Sequence, residues 1–374
     1  MRNLFRVQFL SLFIFAIPAF SQGVDREITD YLFNAQLQQA DSLLDLQIKK
    51  NPDQPEYYLL KAQYNFYKRY FIGQQLSPDS ILQVIIDYAQ KAVDLEEMLE
   101  RTTENKFFLG SAYGFLSRAH TLKGEYWSGF WAARDCRHYL EEVLEEDPGF
   151  YDAYLGLGVI EYYSSLLSGF QSFLAWVGGI SGDREKGLKY FELTAQKGKL
   201  FKTEAEFILA MIYRFLENDY TKANTYLSVL NDRYPGNRFI INIYRQIKIE
   251  QLIDEKGIDY LKAGIDSLRV EYNITNSGVL NNMGYGYMGQ GQFNLAFAVF
   301  ELNITLFPDE ANPYDSISEC FQNHGNNTMA VKYAKIGLEK LPADSTINEN
   351  FREQLRNIMK TRISDLNSNN PSEG

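Results

Sequence analysis

Five of the ten prolines in this chain stand at one fixed distance behind a small side chain. Twelve positions before Pro52, Pro148, Pro235, Pro308 and Pro342 come Ala40, Cys136, Ala223, Ala296 and Ala330. Four positions after each small residue comes Leu44, Leu140, Leu227, Phe300 or Ala334. A small side chain lets two helices approach closely where they cross. An apolar residue one turn on lies on the same helix face and fills the groove beside the crossing. Proline lacks the N–H and disfavours helical geometry just before itself, so the helix stops and the chain turns. A chain punctuated this way folds as a stack of short helix pairs.

The stretch LNNMGYGYMGQGQFNLAFAVF, residues 280–300, could be read differently, because Gly284, Gly286 and Gly289 form a G-x-G-x-x-G. A dinucleotide site of that kind follows a β-branched strand. Here the residues before Gly284 are Asn-Ile-Thr-Asn-Ser-Gly-Val-Leu-Asn-Asn-Met, polar and broken, which excludes it. The same stretch fits a repeat unit: Leu280-x2-Met283-Gly284-x2-Tyr287, then Ala296-x3-Phe300, then Pro308. The next unit runs Tyr314-x2-Ile317-Ser318-x2-Phe321, Ala330, Pro342, and its closing proline lies 34 residues after Pro308. This pattern resembles the tetratricopeptide repeat, with Leu280 in place of its tryptophan. The resemblance covers most of residues 30–345 and makes Gly284 a close-packing position. Gly291 and Phe293 supply the turn between helices, and Gly286 and Gly289 ride on the first helix.

Residues 105–235 carry a more particular pattern: NKFFLGSAYGFLSRAHTLKGEYWSGFWAARD, YDAYLGLGVIEYYSSLL and GISGDREKGLKYFELTAQKG. It is similar to bacterial tetratricopeptide proteins with longer helices. More distantly it is similar to the mitochondrial-outer-membrane and inclusion-body-clearance group. The expected fold is an all-α solenoid, an α-α superhelix of about eight antiparallel helix pairs. These span 25–52, 54–100, 103–148, 150–200, 203–235, 237–272, 277–308 and 311–342. Residues 346–363 read as a C-terminal cap helix with Lys and Arg on its outer face, the kind of cap that solenoids require. The polar tail 364–374 reads as disordered. Gly110 and Gly124 are fourteen residues apart, whereas Gly284 and Gly291 are seven apart, so the central helices should be about two turns longer.

The first 21 residues read as a signal peptide. Arg2 and Arg6 precede the apolar run VQFLSLFIFAIPAF, and Ala19-Phe20-Ser21 offers small residues where a signal peptidase cuts. The run is shorter than the roughly 20 residues of a membrane span, and no cysteine closes it for lipidation. The expected location is therefore periplasmic or secreted, with the solenoid occupying 22–363. Losing Arg2 and Arg6 takes the formal charge from −11 to −13, which disfavours nucleic acid and anionic lipid as partners. Cys136 and Cys320 are too few for a disulfide framework and should be buried and free. The apolar stretch 155–180 contains Glu161 as its one formal charge. It reads as a buried helix and connector, with peripheral membrane contact near Phe170, Phe173 and Trp176 as the alternative.

Catalysis needs convergent groups, and the sequence specifies none. Among the three histidines, only His120 and His138 fall on successive helices where they could meet. No nucleophile elbow, H-E-x-x-H, phosphate-binding loop or C-x-x-C occurs. The acidic run Glu141, Glu142, Glu145, Glu146, Asp147 lacks the alternating oxygen ligands and central glycine of a calcium loop, and it reads as a solvated helix face. No cofactor or metal is expected. Sequons at Asn273, Asn303 and Asn326 matter only in a eukaryotic secretory host, whereas the signal peptide and repeat style suggest a Gram-negative bacterium.

The resemblance implies a non-enzymatic scaffold that binds a segment of another protein along the face lined by the first helices. The candidate partner-binding residues are Asn281, Tyr285, Asn312, Asp315, Glu319 and Gln322. That face is neutral to acidic and lacks the lysines of the subclass that captures C-terminal carboxylates, which favours a basic or neutral polar partner. The alternative is a glycan or small-ligand binder using Tyr57, Tyr58, Tyr162 and Tyr163, provided that at least two are exposed. Intact-mass measurement of the chain recovered from its native host should give a protein beginning at Gln22; retention of Met1 would contradict export by cleavage.

Overall fold

A computed structural model of the chain describes residues 23–71, 78–167 and 182–368, and among these the regular structure is helical throughout, with no strand. The chain divides into two compact units, the boundary in sequence falling after Glu206. The first holds α1 (Val24–Phe33), α2 (Leu37–Lys50), α3 (Pro55–Phe71), α4 (Pro78–Glu96), α5 (Thr103–Leu122), α6 (Tyr126–Glu146), α7 (Ala153–Ser165) and α8 (Arg184–Lys197). The boundary falls within α9 (Lys202–Phe215). The second unit continues with α10 (Tyr220–Arg233), α11 (Arg238–Lys256), α12 (Ile258–Ala263), α13 (Ile265–Glu271), α14 (Gly278–Gly289) and α15 (Phe293–Leu306). It closes with α16 (Asn312–Asn323), α17 (Asn327–Lys340) and α18 (Glu349–Ser368).

These helices fall into the eight expected pairs, and in each unit first helices also pack on first helices: α3 on α5, α5 on α7, α14 on α16. The sixth pair departs from the pattern, because Gly264 breaks its second helix into α12 and α13. The central helices are longer as expected, 20 and 21 residues in α5 and α6 against 12 and 14 in α14 and α15. The cap helix is also longer than its reading: α18 reaches Ser368, and Leu366, expected in a disordered tail, is buried. The signal-peptide residues, the remainder of the tail and the segment containing Phe170, Phe173 and Trp176 lie outside the described residues.

The nests form as the proline spacing requires. Ala40, Cys136, Ala223, Ala296 and Ala330 are each at most 1% exposed, and so is the partner residue one turn on from each. A Cβ on Gly284 would stand 2.4 Å from the Phe300 ring, so only glycine lets α14 and α15 approach this closely. Two pairs without the proline keep the same nest. Ala89 and Val93 are buried on α4, and on α8 Gly187 lies against the Tyr162 backbone while Phe191 closes over Gly158.

Turns and caps complete each hairpin. Every described turn between the helices of a pair contains a left-handed residue: Ala35, Gly124, Asn218, Gly257, Gly291 or Gly325. Side chains of Thr102, Asp183, Asp219, Asn237 and Asn326 accept hydrogen bonds from the N-terminal amides of the helices they precede. A further tie recurs where one pair hands over to the next. Tyr58, Tyr154 and Tyr314 each donate from the hydroxyl to the carbonyl of the proline six residues earlier, Pro52, Pro148 or Pro308, at 3.0, 3.2 and 3.0 Å.

Two helical glycines give a controlled comparison. Gly284→Ala should cost about 1–3 kcal/mol of stability by overpacking against Phe300. Gly289→Ala, where nothing lies within 4 Å of the new Cβ, should be neutral or stabilising by up to about 1 kcal/mol. Urea unfolding of the two variants measures the difference, and equal stabilities would contradict the nested packing.

Candidate interaction surfaces

In the first unit the inner face of the first helices is filled by the chain itself. Gln63 on α3 donates to Glu204 on α9 at 2.6 Å, across 141 residues of sequence. Arg118 on α5 donates to the other oxygen of Glu204 at 2.9 Å, and the Glu204 side chain is fully buried. The Arg118 guanidinium lies over the rings of Phe115 and Phe66, at 4.0 and 4.8 Å from their centroids. Burial of these ions is tolerable because each charge meets its counterpart.

In the second unit four of the six candidate residues, Tyr285, Asp315, Glu319 and Gln322, are linked by contacts. Asn281 and Tyr285 lie on α14, and Asn312, Asp315, Glu319 and Gln322 lie on α16. Tyr285 donates from its hydroxyl to Glu319 at 2.9 Å, a step of 34 residues along the chain. Equivalent positions of consecutive first helices are therefore in contact, one repeat length apart. The chain has the tetratricopeptide-repeat fold. One participant at this site has no signature in the sequence: Arg362, on the cap helix, is buried and ion-paired with Asp315. The same guanidinium reaches Gln322 Oε1 at 3.0 Å, Ser318 Oγ at 3.3 Å and Glu319 at 3.7 Å. The cap expected to turn its basic residues outward thus turns one inward, into the carboxylates. Asn281 is buried with its Oδ1 unpartnered, while Asn312, Tyr285, Glu319 and Gln322 keep partial exposure.

Among solved structures similar to this chain is the APC/C hetero-tetramer Cut9–Hcn1, at 12% identity and TM-score 0.41 over 94% of this chain and 57% of that one. Others are yeast Tom70, at 12% identity and TM-score 0.32 over 94% and 74% of the two chains, and a tetratricopeptide repeat protein from Parabacteroides merdae, at 13% identity and TM-score 0.29 over 90% and 97%. The chain thus spans a little over half the length of the Cut9–Hcn1 chain it matches. No family model matches the chain, and no curated protein sequence does.

The tyrosines proposed for a glycan platform are mostly packing residues. Tyr57 and Tyr162 are buried, Tyr58 is half-buried with its hydroxyl engaged by Pro52, and only Tyr163 is exposed. The glycan reading fails its own condition of two exposed rings. His120 and His138 do not meet, since each pairs with its own carboxylate, Glu125 at 2.6 Å and Glu142 at 3.3 Å. Both cysteines are buried and free, and burial pushes the Cys136 and Cys320 thiols up to about 12 and 11. Such thiols stay protonated and unreactive. The acidic run is less solvated than it reads, because Lys106 bridges Glu142 and Glu146 at 2.7 Å each. A recess of about 280 Å³ is lined by Glu141, Tyr154, Glu161, Lys186 and Tyr190. Its buried Glu161 is fully engaged by Arg137, Lys186 and the Asp183 amide.

A group of carboxylates at the first turns of α1, α3 and α5 has no pattern in the sequence to announce it. Glu96, at the end of α4, is 1% exposed with both oxygens unpartnered. Burial pushes its carboxyl from 4.5 up to about 8; Arg101 opposes the shift, and Glu56 and Glu104 add to it. Asp25 is pushed up to about 7 by burial and by Glu56. Each acid holds its proton more tightly folded than unfolded, so its contribution to stability is intact below the unfolded value and lost as pH rises through the folded one. Glu96→Gln should therefore flatten the fall in stability between about pH 4.5 and 8 and raise the melting temperature at pH 8. An unchanged pH profile would show that Glu96 is ionised in the folded protein.

Proposed function

We propose that the chain is a non-enzymatic scaffold of the bacterial cell envelope that binds a basic, extended segment of another protein along α14 and α16. The observation that carries this reading is the seat of Arg362. Asp315, Glu319, Ser318 and Gln322 surround its guanidinium with acceptors, so this face already has the chemistry that recognises a cationic side chain. The ladder Tyr285–Glu319 extends acceptors toward α14. A partner arginine or lysine one repeat before the Arg362 seat would meet the partly exposed Tyr285 hydroxyl and Glu319 carboxylate. The acidic balance of the chain steers such a segment toward the face. The envelope setting rests on the leader read in the sequence.

The mature chain, immobilised and exposed to the envelope fraction of its host, should recover a protein above the level of a charge-matched control. Glu319→Lys, with its helical content verified, should reduce that recovery on the order of tenfold, the cost of replacing an attraction by a repulsion at one contact. Recovery no better than the control, or indifferent to the substitution, would contradict the proposal.

A further inference from the structure

The tip of the α5–α6 hairpin presents apolar side chains that nothing in the scaffold reading uses. Leu122 closes α5, and Tyr126, Trp127 and Trp131 open α6; they are 52, 60, 63 and 50% exposed. Phe130 supports the two tryptophans from between, with ring centroids 6.2 Å from Trp127 and 5.4 Å from Trp131 in edge-on contacts. The Arg134 guanidinium lies 5.3 Å from the centre of the Trp131 ring. Further along the same unit, the end of α7 exposes Tyr163, Leu166 and Leu167. Scattered exposed apolar residues need no explanation, but two neighbouring tryptophans and a tyrosine at one protruding tip do.

We propose that this tip is a peripheral anchor for a phospholipid surface of low net charge. Three properties of the tip favour a bilayer interface. Its apolar residues are the amphipathic aromatics that settle at headgroup depth, with an arginine placed one turn behind to meet phosphate. Its turn is held within the hairpin, the amides of Lys123, Gly124 and Glu125 being bonded to Ala119, Thr121 and His120 carbonyls. The first amides of α6, which no side chain caps, would take headgroup phosphate or water as acceptors. Its charges are also paired, since Glu125 meets Lys123 at 2.7 Å and His120 at 2.6 Å. The formal charge of −11, or −13 once Arg2 and Arg6 are removed, opposes approach to an anionic surface, which makes a zwitterionic one the better fit. Among the described residues no helix is long and apolar enough to span a membrane, so the contact is a surface one. The anchor uses residues other than Phe170, Phe173 and Trp176, and it stands or falls independently of the partner face on α14 and α16.

The test uses the mature full chain and vesicles of phosphatidylcholine, with a Trp176→Phe background so that emission comes from Trp127 and Trp131. The chain should cosediment with the vesicles, with a shift of emission to shorter wavelength and little dependence on salt. Trp127→Ser with Trp131→Ser should lower the partition coefficient by about tenfold or more, as expected when buried apolar area supplies the affinity. Vesicles containing phosphatidylglycerol should bind no better. Three results would overturn the proposal: no binding to phosphatidylcholine; binding untouched by the double substitution while the variant keeps native helical content; or loss of self-association, measured by light scattering, as the variant's only defect, which would assign the tip to a second copy of the chain.

Discussion

Close approach of paired helices at one small residue is the constraint on which everything else here depends. Where Phe300 closes over Gly284, or Phe191 over Gly158, the two helices of a hairpin lock with a large ring against bare backbone. The small residue on the second helix, Ala296 or Gly187, completes the exchange by letting the neighbouring helix in. Each hairpin then buries one face internally and must stack on the next to bury the other. Stability in such an arrangement is shared among many local interfaces, which suits a chain with two buried, unpaired cysteines and a high aromatic content.

Stacking sets what the molecule can present. In the first unit Gln63, Arg118 and Glu204 meet around a buried ion pair. On α14 and α16, Tyr285, Glu319 and Gln322 stay partly exposed, while Arg362 of the cap helix fills the seat at Asp315. The α5–α6 tip keeps aromatic side chains in solvent.

Much of this was legible because the nest has a strict linear signature. Small residues at Ala40, Cys136, Ala223, Ala296 and Ala330, each a fixed step before proline, placed the helices of their pairs correctly. Proline was only the marker, however, and Ala89 and Gly187 make the same nest without it. The Pro-x5-Tyr spacing at Tyr58, Tyr154 and Tyr314 was equally available as a signal. Other features had no local signature. Ala35 takes a left-handed turn conformation that alanine rarely adopts, held there by its flanking helices. The contact of Arg362 with Asp315 spans 47 residues, and that of Gln63 with Glu204 spans 141, so neither can be read from spacing. Spacing placed Tyr285 and Glu319 one repeat apart, where they touch, but the cap-helix Arg362 beside them is visible only in three dimensions.

Site-specific photo-crosslinking in the native host tests the central functional claim most directly. A photoreactive residue placed at Asn323, exposed at the end of α16 beside Gln322, should form a covalent adduct with another protein. The same residue placed at Lys335, exposed on α17, should form none. Adducts from Asn323 alone would locate a partner on the first-helix face; no adduct from Asn323, or equal adducts from both positions, would contradict a partner held there.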